Sequence, residues 1–86
     1  MEEDDLDFKF KEAYKIASEL EEKLPPDVML RLYAYYKQAV KGDRFTFNDN
    51  SDIRNAFKFN AWMQLRGMEE HEAKKEYIKL VNSIIK

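Results

Sequence analysis

The chain has no cysteine. A disulfide framework and thiolate chemistry are therefore excluded, and the absence fits a reducing compartment. Glycine is almost as scarce. With only Gly42 and Gly67 present, no glycine-rich loop can cradle a phosphate on backbone N–H groups. Any phosphate must be met by side chains. The only two prolines are adjacent, Pro25 and Pro26, so they break the chain at one place. The one histidine, His71, sits in Glu69-Glu70-His71-Glu72. Closed metal sites need about four ligands at suitable spacing, and this acidic run suits a helix N-terminus better. No metal and no cofactor are expected. No apolar run approaches the length of a membrane span. The opening residues Met1-Glu2-Glu3-Asp4-Asp5 are acidic, unlike a secretory leader. The reading is one cytoplasmic, monomeric domain over 1–86, with residues 1–5 a flexible lead-in and no membrane insertion.

What is present is apolar, aromatic and charged. Hydrophobic residues make up 44% of the chain and aromatics 14%, enough for a folded core rather than disorder. At 86 residues that core is modest. The net charge of −2 hides an uneven distribution. Residues 1–30 carry 10 acids and 4 bases, residues 31–67 carry 3 acids and 7 bases, and residues 68–86 carry 4 of each. A basic middle inside an acidic protein suits a compact anion. Nucleic acid would favour a broadly basic surface, so no nucleic-acid partner is expected.

Four helical segments are legible. The first is predicted from about Leu6 to Glu22, with Phe10, Ala13, Ala17, Leu20 and Leu24 on one stripe. Leu24-Pro25-Pro26 ends it, and Pro26 with Asp27 starts the second, which runs to Lys41 and is capped by a left-handed Gly42. Residues 43–51 form the one long loop. Phe45 and Phe47 are expected to pin it, and Asn50 or Ser51 to cap the third helix. That helix is predicted to end at about Arg66, before Gly67. The fourth covers about Glu69 to Ile85, with Ala73, Tyr77, Leu80, Val81 and Ile84 on one face. No strand pattern is present, so the fold class is all-α, a four-helix bundle.

The second helix carries two stripes where a bundle helix needs one. Val28, Leu32, Tyr35 and Ala39 have core spacing. Roughly 130° away lie Tyr33, Tyr36 and Lys37, with Met29, Leu30 and Val40 along that face. Phenols, an ammonium and aliphatics together suit a ligand with a planar base, phosphates and an apolar tail. Lys37, Lys58 and the Tyr33 hydroxyl are the candidates for phosphate, and Tyr36 and Tyr77 for a base and ribose. Phe59 and Trp62 read as core or groove wall. No catalytic set is present, and no enzymatic activity is expected.

Tyr33-x-x-Tyr36-Lys37-Gln38-Ala39, x-x-Gly42-Asp43, Lys58-Phe59-x-Ala61-Trp62, Leu65-x-Gly67 and Glu72-Ala73-x-x-x-Tyr77 occur in that order. Taken together, from about Phe10 to Ile85, they resemble the acyl-CoA-binding protein family. The resemblance implies an up-down-down-up bundle and an intracellular carrier of medium- to long-chain fatty acyl-CoA. It also implies roles. Tyr33, Lys37 and Lys58 would meet the 3′-phosphate of CoA, Tyr36 would stack on adenine, and Tyr77 would close over the adenosine. Met29 and Leu30 would line the acyl groove, and Ala13 holds a small-residue position near the nucleotide. The sequence also departs from the family pattern. Phe59 replaces a usual Trp, Phe57 and Tyr14 replace small residues, and Met68 replaces a Ser or Thr before the fourth helix. The loop lacks the usual Pro and is about one residue short. The alternative is a helical protein–protein interaction module that uses the same aromatic face without a small ligand.

Overall fold

The computed structural model describes residues 2–20, 23–45 and 53–85. It holds four helices: α1 (Glu2–Leu20), α2 (Pro26–Lys41), α3 (Ile53–Met63) and α4 (Glu70–Ile84). No strand occurs among the described residues, so the expected all-α bundle is what forms. The helices pack as α1 on α4, α4 on α2 and α2 on α3. The smallest extent of the molecule is 17 Å. A helix with its side chains is about 10–12 Å across, so this is a two-layer slab and every helix keeps one face to solvent.

Of the α1 stripe, Phe10, Ala13 and Ala17 are buried and Leu24 packs beside them, whereas Leu20 is half-buried outside this core cluster and Ile16, off the stripe, joins it. The helix starts at Glu2, four residues before the expected Leu6. Glu2, Glu3, Asp4 and Asp5 are the residues that the positive end of a helix dipole favours. Its expected final residue, Glu22, lies outside the described residues. Asp7 ties α1 to α4 by accepting a hydrogen bond from Lys74 Nζ at 2.6 Å. That bond, and the charge behind it, hold the Asp7 carboxyl below its usual range.

Pro26 opens α2 in its first turn, with Asp27 beside it and Lys41 in the last turn. Leu32 and Ala39 are buried in the main core, and Val28 and Tyr35 pack at its edge. The structure adds a stripe that the sequence reading did not separate. Ala34 and Gln38, one turn apart, are also buried. Gln38 serves α3, so α2 buries one face against α4 and another against α3. Gly42 caps α2 with φ 59° as expected, but its ψ of −136° is not left-handed helical. That backbone region is essentially open to glycine alone.

α3 stops at Met63, three residues before the expected Arg66. From Leu65 on the amides reach back only three residues: Leu65 N–H to Trp62 O at 2.9 Å and Arg66 N–H to Met63 O at 3.1 Å. The last turn has tightened in the way helix ends commonly do, and Gly67 at φ 91° completes the reversal. Phe45 packs on Trp62 with ring centroids 4.9 Å apart, so it pins its end of the loop. Phe47, Asn50 and Ser51 lie outside the described residues. In α4, Ala73, Tyr77 and Val81 are buried, and Leu80 and Ile84 are half-buried around them.

Candidate functional site

A groove of about 790 Å³ opens between the start of α2, the middle of α1 and the exposed edge of α3. Its size falls in the range of small-molecule sites. Seven of the eight residues singled out from sequence line it: Met29, Leu30, Tyr33, Tyr36, Lys37, Lys58 and Tyr77. Ala13 does not. It is 4% exposed and sits in the core. Val40, placed on the same helical face, is 44% exposed and lies outside the groove lining. Ala17, Leu24, Pro26 and Phe57 add apolar wall. Phe57 is 56% exposed, so it faces the groove rather than the bundle interior.

The groove has two chemistries, set out along α2. Met29 and Leu30 come early and Lys37 about two turns later, roughly 12 Å along the axis at 1.5 Å per residue. At the polar end two cations converge on one ring. Lys37 Nζ lies 5.7 Å and Lys58 Nζ 5.3 Å from the centroid of Tyr33. Lys37 Nζ is also 5.7 Å from the Trp62 ring. All three distances are in cation–π range. Among the described residues neither ammonium is paired with a carboxylate. Partial desolvation lowers the Lys37 pKa, and the like charge of Lys41 lowers it further. Desolvation raises the Tyr33 phenol, which keeps it a neutral donor. Two ammoniums without a carboxylate partner among the described residues thus share one ring, and such a local concentration of positive charge attracts a compact anion.

Tyr36 forms the aromatic end. Its ring is flanked by Phe10 at 5.9 Å and 14°, by Tyr14 at 4.9 Å and 26°, and by Tyr77 at 6.3 Å and 53°. Helical angle alone separates Tyr36 cleanly from the core. The structure does not, because α1 and α4 both bring rings against it. Tyr77 is only 3% exposed and meets Phe10 edge-on at 5.1 Å. It reaches the groove as part of its floor.

Sequence reasoning gave Gln38 no role, yet it organises this end of the molecule. Its side chain is fully buried. Nε2 donates to Asp43 Oδ1 at 2.9 Å and to the Met68 carbonyl at 2.8 Å. Oε1 accepts from Trp62 Nε1 at 3.1 Å, which also donates to the Gly42 carbonyl at 3.1 Å. Asp43 in turn accepts from the Gly67 N–H at 3.0 Å and 3.2 Å. These bonds hold the Asp43 carboxyl below its usual range. The α2–α3 pair that carries Lys37 and Lys58 is thereby locked. The signal in the sequence was a Gln one turn after Ala34 in an apolar stretch, with a single Trp as its donor. Met68 takes part through its backbone, and the N-cap of α4 is Glu69, one residue after the expected cap position at Met68; it makes no side-chain cap bond. Phe59 packs against Phe45 and Trp62, with centroids 6.4 Å and 6.1 Å away, and belongs to this junction.

The chain matches the family described as Acyl CoA binding protein over residues 7–81. It is 40% identical over 81 residues to the Acyl-CoA-binding protein of Saccharomyces cerevisiae, covering 88% of each chain. It is 40% identical over 65 residues to an Acyl-CoA-binding protein homolog of Manduca sexta, covering 72% of each. With the Acyl-CoA-binding protein of Dictyostelium discoideum it shares 32% over 76 residues, which is 87% of this chain and 90% of that one.

Proposed function

This chain belongs to the acyl-CoA-binding protein family, and we propose that it carries medium- to long-chain fatty acyl-CoA as a cytoplasmic monomer. It binds the thioester without reacting with it. The carrying observation is the pair of ammoniums on Tyr33, without a carboxylate partner among the described residues, at one end of a groove whose other end is apolar. The 3′-phosphate is assigned to Tyr33, Lys37 and Lys58, and the adenine to Tyr36 with Tyr77 beneath. Ala13 supports that region from the core. The acyl chain runs over Met29 and Leu30, and Phe57 narrows the groove beside them. Charge-assisted bonds supply orientation, and each methylene taken from water adds about 0.8 kcal/mol. No helix among the described residues is long and apolar enough to cross a membrane.

Calorimetric titration with free CoA and with acyl-CoAs of increasing length tests the reading. Affinity is expected to rise with each methylene until the groove ends, with free CoA far weaker. No length dependence, or no binding of any member of the series, overturns it.

A further inference from the structure

Tyr36 presents a groove-lining ring, but the ring is already stacked. Of its three aromatic neighbours, Phe10 is 8% and Tyr77 3% exposed, and both belong to the main core. Neither can leave without opening that core. Tyr14 differs. It is 45% exposed and lines the groove. Its hydroxyl makes no hydrogen bond to a described residue. Its separation of 4.9 Å and tilt of 26° are those of an offset stack. A planar base that stacks on Tyr36 from the groove seeks the same contact.

We propose that Tyr14 fills the base subsite in the free protein: its ring lies on Tyr36 where the ligand's base stacks and must turn away before the base can enter. The proposal rests on the acyl-CoA reading of the groove and adds a specificity residue to it. Exposed side chains change rotamer in picoseconds to nanoseconds, so the device acts on affinity rather than rate. Apparent affinity falls by the fraction of time the subsite stands open. An aromatic pair has a strength that corresponds to roughly a two- to tenfold effect. The penalty falls only on ligands that carry a base. Recognition in this chain therefore leans on the acyl chain more than on the nucleotide.

The test compares wild type with Tyr14→Ala, using decanoyl-CoA and decanoyl-pantetheine, which lacks the nucleotide. Melting temperatures are recorded alongside. The variant is expected to bind decanoyl-CoA roughly two- to tenfold more tightly, with no matching gain for decanoyl-pantetheine. If wild type binds decanoyl-CoA and the variant binds it equally or more weakly, the filled-subsite proposal fails and the carrier reading stands. A weaker variant would make Tyr14 a stacking platform. An equal gain for both probes also rejects it, because the groove has then merely widened. Absence of decanoyl-CoA binding in both proteins removes the carrier reading and this proposal together. Should Tyr14→Ala melt too low to assay, Tyr14→Leu keeps apolar bulk without a stacking ring and is read by the same criteria.

Discussion

Tyr33 has two lysine ammoniums against its ring, and substitutions here separate charge from shape. Lys58→Ala removes one cation 5.3 Å from the Tyr33 ring. A bond to a charged group contributes roughly 1.5–3 kcal/mol, so acyl-CoA affinity should drop about tenfold to a hundredfold. Calorimetry with the 3′-dephospho ligand should show little change, and an equal loss for both ligands would dislodge Lys58 from the phosphate. Tyr35 and Tyr36 form a second contrast. Both pack at the edge of the core, so both alanine variants should lower the melting temperature, each by about 2 kcal/mol of stability. Only Tyr36→Ala should also weaken acyl-CoA binding. If Tyr35→Ala weakened binding as much, ring packing rather than ligand contact would be the cause. Phe57 is half-exposed on the groove edge, so Phe57→Ala should leave the melting temperature nearly unchanged. It should raise the long-to-short affinity ratio, at about 0.8 kcal/mol for each methylene newly buried. A ratio that stays put while stability falls would place Phe57 in the interior.

Helix identities were legible because each core stripe has a helical period, and Phe10, Ala13 and Ala17 are buried as that period requires. Helix ends were less so. The early start of α1 depends on a charge preference that periodicity does not register, and α3 ends in three-residue bonds that leave no sequence signature. Met29, Leu30, Tyr33, Tyr36 and Lys37 were legible in the groove lining from one face of α2, whereas Lys58 comes from α3. The Gln38 junction was not, because it joins residues 24 and 30 positions apart, and no periodicity links separate elements. That junction has a measurable pH signature. Gln38 and the Gly67 N–H hold the Asp43 carboxyl below 3.8. For a lowered pKa, the stabilisation is complete above the unfolded value of 3.8 and is lost as pH falls through the folded one. Asp43→Asn should therefore melt lower than wild type near pH 6, and the gap should narrow below about pH 4. A gap independent of pH would mean that shape, not charge, matters at Asp43.

At the scale of the molecule, a slab 17 Å thin has no inner layer to spare. Ala17, Leu32 and Tyr77 are core residues and groove wall at once. Groove and core thus share a boundary, and the unfolded chain offers a ligand no such surface. A saturating ligand should raise the melting temperature in step with its concentration. At about a hundred times its dissociation constant it adds about 2.7 kcal/mol. A melting temperature indifferent to acyl-CoA would mean that the ligand does not rest on that wall. The shared wall also reaches beyond binding. A small domain lives near its stability threshold, and proteases remove the fraction that opens. Where thioester is scarce, more copies would open and be degraded; where it is plentiful, occupied copies would survive. The amount of carrier in a cell would then follow the supply of its cargo, with no regulator other than the wall that the two have in common.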